Sequence, residues 1–306
     1  MTIPGKEIAD ALAEKLVSEV VHLTAEKTLP HLAVILVGED KSSLSYINRK
    51  KKVGETLGCI VSVYRLTVQN TVEGLKTTVK ILNDDPDIQG IIIQRPVPMP
   101  ITKVELDSLV VKEKDVDGFR LDSPFTPPIG LAILSILEWV HEDIRSNRAS
   151  ELFNPNVNEF DSWLITQKIL IIGKGDTGGK PIAEILRKRG VKAIIADSKT
   201  KLLGSSDEKI NENTGKNNNR INPRNFNIVI SCVGKPNILR HSMVSKKMIL
   251  IGMGLHSEGN HLAPDYDQNE VKNTAAYYTP VPGGVGPVNV VCLFQNLIQA
   301  TQTLKP

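Results

Sequence analysis

KILIIGKGDTGGKPIAEILRKRG, residues 168–190, reads as strand, turn and helix in succession. The apolar run KILIIG ends at a glycine, and KPIAEILRKRG follows with helical spacing. Gly173, Gly175, Gly178 and Gly179 permit a tight turn, and free amides at the helix start offer a seat for a pyrophosphate. Gly173-x-Gly175-x-x-Gly178 matches the dinucleotide fingerprint, and Asp197 closes the next strand about 20 residues on. Glycine turns join many strands to helices, so the match gains its weight from the strand before it and the helix after it. An acid at the position of Asp197 bonds a ribose 2′-hydroxyl and disfavours a 2′-phosphate. Lys174 and Lys199 pull the other way, which leaves NAD and NADP both open.

Three further apolar runs continue the pattern: KAIIAD (192–197), NIVISCVG (227–234) and KMILIGMG (247–254). Together they predict a Rossmann-type unit. Earlier in the chain, HLAVILVG (31–38) and IQGIIIQ (88–94) read as buried strands, with helical patterns over 5–27, 42–58 and 71–83. That alternation predicts an α/β layer fold with a mostly parallel sheet. The expected organisation is two α/β domains. The first comprises 1–122 and 287–306, with the C-terminal helical stretch PVNVVCLFQNLIQATQTL packing back on it; the second, 123–286, is the Rossmann-type domain. The boundary falls in the turn-rich segment 101–130. Segments 146–163 and 205–225, rich in turn residues and asparagine, are expected as insertions and surface loops.

A length of 306 residues suits about two domains. Net charge +3 with 23% charged residues is too balanced to imply a nucleic-acid or membrane partner. No stretch approaches the ~18 apolar residues of a membrane span, and MTIPGKEIADALAEKL lacks a signal-peptide core, so a cytoplasmic location is expected. Cys59, Cys232 and Cys292 are scattered and the six histidines show no ligand spacing, so no disulfide framework and no metal are expected.

Four cations in a row, Arg49, Lys50, Lys51 and Lys52, lie in SSLSYINRKKKVGETLG (42–58). On a helix, Tyr46, Lys50, Val53 and Leu57 fall within about 60° of one another, while Lys51 and Lys52 point away. Lys50 therefore sits on the apolar face, either as a snorkelling lysine or as a chemical group. Asp117, in KDVDGFR (114–120), is either an ordinary Asp-Gly turn or a carboxylate offered to a flat N–C–NH2 edge. Gln94 and Pro96 stand just past a strand's C-terminal end, where open α/β sheets bind ligands. Gly283 and Gly284, in TPVPGGVGPVN (279–289), allow either a hinge or a close approach of backbone to a flat ligand.

The order of these stretches is more specific than any one of them. Tyr46-x-x-x-Lys50, IIIQRPVP, KDVDGF, PFTP, GGKP, DSKT, SCVGKP and TPVPGGVGP occur in one chain. That succession resembles the bifunctional methylenetetrahydrofolate dehydrogenase/methenyltetrahydrofolate cyclohydrolase family, over residues 4–303 with the two insertions interrupting. The resemblance implies two α/β domains flanking a cleft, a homodimer, a folate substrate and a nicotinamide nucleotide, by family habit NADP. It implies oxidation of 5,10-methylene-tetrahydrofolate and hydrolysis of the methenyl product to 10-formyl-tetrahydrofolate. Lys50 matches the family's catalytic lysine, Tyr46 the tyrosine beside it and Gln94 the glutamine that positions it. Asp117 matches the pterin-binding aspartate, with Ser43, Pro96, Gly283 and Gly284 lining the same substrate site. Gly173, Lys174, Gly175, Gly178, Asp197, Ser198, Val233 and Gly234 match the nucleotide site. Two departures fall at that site: GKG (173–175) replaces Gly-Arg-Ser, and Asp197 stands where histidine is usual; elsewhere PFTP replaces Pro-Cys-Thr-Pro, GPVN replaces Gly-Pro-Met-Thr, and the connection from KDVDGF to PFTP is shorter than usual. The rival readings are a cyclohydrolase with weak dehydrogenase activity and a non-catalytic nucleotide- or folate-sensing paralogue.

Overall fold

The computed structural model describes residues 1–67, 69, 71–147, 159–204, 220–258 and 261–304. The chain forms two compact units: Ala9–Leu131 with Asn289–Pro306, and Met1–Ile8 with Ala132–Val288.

The first unit runs α1 (Gly5–Ala25), β1 (His31–Val37), α2 (Lys41–Leu57), β2 (Ile60–Leu66), α3 (Val72–Asp84), β3 (Gly90–Ile93) and α4 (Lys103–Ser108). Its sheet has the order β2-β1-β3, all parallel. β1 is the central strand and is covered on both faces, which explains why HLAVILV is a continuous apolar run rather than an alternating one. Ala33, Ile35 and Val37 pack with Leu75, Val79 and Leu82 of α3 on one side. β2 escapes a reading by hydrophobic pattern because it is a half-exposed edge strand with no fully buried residue.

The second unit runs α5 (Pro128–Asn147), α6 (Glu159–Ile165), β4 (Ile169–Ile172), α7 (Gly179–Lys188), β5 (Ile194–Ala196), β6 (Lys201–Leu202), β7 (Arg220–Ile221), β8 (Ile228–Ser231), β9 (Ile249–Gly252), β10 (Leu255–Glu258), β11 (His261–Pro264), α8 (Gln268–Val271) and β12 (Tyr277–Tyr278), with α9 (Val285–Thr303) closing the chain. Its main sheet is five-stranded and parallel, in the order β12-β9-β8-β4-β5. The strand order reverses between β4 and β8, and such a switch point is where doubly wound sheets bind ligands. β4, β8 and β9 are buried along their whole length, as their isoleucine-rich runs require.

Residues of α9 return to the first unit. A Cβ on Gly90 of β3 would lie 2.7 Å from Leu297, and one on Gly54 of α2 would lie 3.1 Å from Phe294. The unit limits differ from the expected 122/123 and 286/287, falling at 131/132 and 288/289, inside the continuous helices α5 and α9. Met1–Ile8 belongs with the second unit because Ile3 N donates to Tyr278 O (2.8 Å) and Tyr278 N donates to Met1 O (3.0 Å) beside β12. Of the expected insertions, 148–158 and 205–219 lie outside the described residues. The flanks of those segments are ordered, against expectation: α5 reaches Asn147, α6 begins at Glu159, and Arg220–Ile221 pairs with Lys201–Leu202.

Candidate functional site

α2 carries the first group of residues. Asp40 caps it by accepting from Ser43 N (2.7 Å), and Gly58 ends it in the left-handed region at φ 79°. With both ends fixed, the helix buries Ser43, Ile47, Lys50, Gly54 and Leu57, a spacing of four and three throughout. Tyr46 and Val53, which the sequence places on the stripe, are half-buried at its flank. Lys51 and Lys52 are exposed. Only 8% of Lys50 is accessible, so the ammonium has left water.

Two groups meet it. Lys50 Nζ donates to Gln94 Oε1 at 3.0 Å. Gln94 Nε2 donates to Arg95 O at 3.1 Å, and this bond orients the amide so that its oxygen faces the lysine. Gln94 N continues the sheet by bonding Ile35 O. Burial lowers the Lys50 pKa, and the Asp117 carboxylate raises it in part. Asp117 is moved in the opposite sense: burial raises it, while Lys50 and Arg95 lower it. The lysine shift is downward because its burial outweighs the single counter-charge of Asp117. A lysine held below its ordinary value gives up its proton more readily than an exposed one, which suits it to acid–base work.

The loop that carries Asp117 is fastened by residues that sequence reading did not single out. Lys114 Nζ donates to the carbonyls of Leu82 (3.1 Å), Asn83 (2.8 Å) and Asp85 (2.6 Å), capping the end of α3. The Asp115 carboxylate accepts from Phe119 N (3.3 Å) and Arg120 N (2.9 Å). Asn296 of α9 donates to Val116 O (2.9 Å) and Thr126 O (2.8 Å). Gly118 has φ 67° and a Cβ there would lie 2.9 Å from Phe125 O, so the Asp-Gly turn is also a close backbone approach. Pro96, after a cis Arg95–Pro96 bond, is exposed beyond this group.

Burial pushes the Asp115 carboxyl up from 3.8 to about 6, against the hydrogen bonds that favour its charge. Because the folded pKa exceeds the unfolded one, the native state binds the proton first. Asp115 thus stabilises the fold below the unfolded value and loses that contribution as pH rises through the folded value. Relative to Asp115→Asn, the wild type should gain up to about 3 kcal/mol as pH falls from about 7 to 4, from roughly two pKa units. Denaturant unfolding of both proteins across that range tests this; a constant difference would refute it.

In the second unit the glycine turn lies at the switch point. Gly173 has φ 105° and its N–H bonds Ala196 O at 2.8 Å. A Cβ on Gly179 would lie 1.9 Å from Gly173 O, so Gly179 rather than Gly178 provides the closest helix–strand contact. A Cβ on Gly178 would meet Met253 and Cys232 at 3.1 and 3.3 Å, whereas one on Gly175 would meet nothing within 4 Å. α7 starts with Gly178 as N-cap and no side-chain cap bond. The Gly175 carbonyl instead accepts from Gly178 N (3.3 Å) and Lys180 N (3.1 Å), so what the turn leaves for a pyrophosphate-bearing nucleotide is the open space at Gly175. Lys174 is exposed on this turn.

Asp197 directly follows β5, with Ser198 exposed next to it. Its carboxylate accepts from Lys199 N (3.0 Å) and Thr200 Oγ1 (3.2 Å). These bonds, with lesser help from Lys174 and Lys199 as charges, hold it below the usual carboxylate range. Across the switch point, the loop after β8 is organised by Asp265, a fully buried carboxylate without any sequence signal. It accepts from Ser231 Oγ (2.5 Å), Val233 N (2.9 Å), Gly234 N (2.7 Å) and Lys235 N (3.0 Å). The amides of Val233 and Gly234 are therefore committed inward, and the Val233 side chain packs against the core of this unit. Gly283 (φ 96°) is open around its missing Cβ, while a Cβ on Gly284 would lie 2.5 Å from Pro280 O. Gly283 is thus the position available to a ligand, and Gly284 is needed for packing.

These features define a two-unit α/β protein with a Rossmann-type nucleotide unit and a second unit holding a buried lysine that is bonded to an amide and influenced by a carboxylate. Residues 3–117 match the model of the tetrahydrofolate dehydrogenase/cyclohydrolase catalytic domain, and 157–305 match that of its NAD(P)-binding domain. The chain is 31% identical to the bifunctional protein FolD of Halothermothrix orenii, over 97% of this chain and 96% of that one. It is 30% identical to the bifunctional protein FolD of Campylobacter hominis, over 98% and 96%. The crystal structure of the bifunctional methylenetetrahydrofolate dehydrogenase/cyclohydrolase from Campylobacter jejuni superposes with a TM-score of 0.82 at 28% identity, covering 99% of each chain. The protein belongs to the tetrahydrofolate dehydrogenase/cyclohydrolase family. Among the described residues no helix is long and apolar enough to cross a membrane.

Proposed function

We propose that this protein oxidises 5,10-methylene-tetrahydrofolate to the 5,10-methenyl form and hydrolyses that to 10-formyl-tetrahydrofolate, as a cytoplasmic homodimer. The buried Lys50, bonded to Gln94 and facing Asp117, is the observation that carries this reading. When bound, the nicotinamide nucleotide accepts the hydride that leaves the bridging methylene carbon. Asp117 holds the flat N–C–NH2 edge of the pterin through charge-assisted hydrogen bonds. The methenyl product is a cation, and its charge together with burial disfavours a protonated Lys50. Neutral Lys50 then accepts a proton as water attacks the methenyl carbon. It returns that proton to the ring nitrogen that departs, and the hydroxyl proton is released to solvent as the C=O forms, leaving the formyl group on the other nitrogen. We assign Tyr46, Ser43 and Pro96 as further substrate-site positions and, by the family likeness, Gly283, whose surroundings are open. A sensor that only binds would have no use for a lysine held out of water.

Gly173, Gly175 and Gly178 with the start of α7 receive the pyrophosphate, and Lys174, Asp197 and Ser198 face the adenosine ribose. Val233 and Gly234 form the opposite wall. We assign NADP as the preferred nucleotide, used less selectively than is common in the family, with NAD as a second substrate. Lys174 supplies a positive charge as a point rather than a planar fork, and Asp197 repels a 2′-phosphate. Asp197→Ser should raise the NADP-to-NAD ratio of kcat/KM several-fold. A wild type that strongly prefers NADP, with a ratio unmoved by the substitution, would remove Asp197 from the ribose site.

Absorbance after mixing protein, methylene-tetrahydrofolate and NADP tests the main reading, because reduced nicotinamide and the methenyl cation absorb separately. Reduced nicotinamide should accumulate, and added methenyl-tetrahydrofolate should decay faster than without protein. No change in either window would refute the enzyme reading.

A further inference from the structure

Arg95 follows the glutamine that holds Lys50, and its position gives it a role that the reaction as described leaves unassigned. Its guanidinium carbon lies 4.0 Å from the centroid of the Phe119 ring, two residues beyond Asp117. Nη2 is ion-paired with Asp107 of α4, and Asp107 is in turn paired with Lys103. With Lys103 offsetting Asp107, the positive charge of Arg95 is not cancelled within that cluster. The Arg95 side chain is only 19% accessible, so its field acts through protein rather than water.

We infer that Arg95 is a positioning residue for Asp117: stacked on Phe119 of the same loop, its permanent charge opposes protonation of the carboxylate that holds the pterin edge when Lys50 gives up its proton. The need follows from the chemistry proposed above, on which this inference rests. Asp117 has two cationic neighbours, Lys50 from α2 and Arg95 from the β3 exit, and one like charge, Asp115, on its own loop. If Lys50 alone compensated it, deprotonation of the lysine would leave a buried anion with no cation beside it. That anion would take up a proton and lose its grip on the substrate. A guanidinium cannot deprotonate in the working range, so Arg95 separates substrate binding from the proton state of Lys50. Stacking on Phe119 also ties Arg95 to the loop that carries Asp117.

The test is the pH profile of cyclohydrolase KM and kcat, with methenyl-tetrahydrofolate as substrate, in the wild type, Arg95→Met and Arg95→Lys. In Arg95→Met the acid limb of 1/KM should move to higher pH, while kcat at saturating substrate changes much less. Arg95→Lys, which keeps the charge, should bring the limb back toward the wild-type position. Asp107→Asn removes the anion facing Arg95 and should move the limb to lower pH; it provides the test should Arg95→Met fail to fold. A uniform loss with an unmoved limb in the variants that fold would overturn the inference and make Arg95 a packing residue. Absence of turnover in the wild type would instead overturn the functional reading itself.

Discussion

Lys50→Met should reduce cyclohydrolase turnover by about 10²–10⁴-fold, the range for loss of a positioned acid–base group. Methionine retains much of the apolar stem, so the stripe Ser43, Ile47, Gly54 and Leu57 stays filled and the helix keeps its place. Nucleotide affinity should be unchanged, because the glycine turn and the Asp265-held loop belong to the other compact unit. Lys51→Met, one position along the same helix and exposed, should leave turnover as it was. Turnover on methenyl-tetrahydrofolate and a fluorescence titration with NADP check both halves. Equal losses in the two lysine variants would defeat the argument from helix faces.

Asp117→Asn should weaken folate binding by about 1.5–3 kcal/mol, roughly 10- to 150-fold, as for hydrogen bonds to a charged group. Asparagine preserves the shape of the turn, and Lys114, Asp115 and Asn296 still fasten the loop, so loss of fold is not the expected cause. The substitution has a second consequence. Asp117 raises the Lys50 pKa against burial, so its removal lets that pKa fall further. The limb of kcat assigned to Lys50 should then shift to lower pH. Equilibrium binding of a folate analogue and the kcat profile measure the two effects. Unchanged affinity would return Asp117 to the role of an ordinary turn residue.

Local periodicity explains why some of this was legible in the sequence. The central strand β1 and the buried β4, β8 and β9 are continuous apolar runs, and the glycine turn joins a strand to a helix at a recognisable spacing. α2 announces its buried face, although the angular estimate favoured Tyr46 and Val53 where the helix buries Ile47 and Gly54. Helix α5 was hidden because its first turn, Pro128-Ile129-Gly130, follows SPFTP and reads as loop. β2 was hidden because an edge strand need not be apolar on either face.

The unread part of the site consists of long-range partners. Lys114 meets carbonyls about thirty positions earlier, Asp265 meets amides thirty to thirty-two positions away, and Asn296 reaches 180 positions back to Val116. No local spacing encodes such pairs. A buried carboxylate such as Asp265 looks in the sequence like any other aspartate near a turn. The folate-binding roles were readable only through the order of motifs along the chain, since each motif alone also reads as a turn or a solvated face.

The account depends on Lys50 being a buried lysine with a lowered pKa, and that can be measured directly. Heteronuclear NMR of protein labelled at lysine Cε follows each ammonium as pH is raised, and the signal missing from Lys50→Met identifies the one of interest. It should titrate below the exposed lysines Lys51 and Lys52. In Asp117→Asn it should titrate lower still. A Lys50 signal that titrates together with the exposed lysines, and ignores Asp117→Asn, would contradict the central claim.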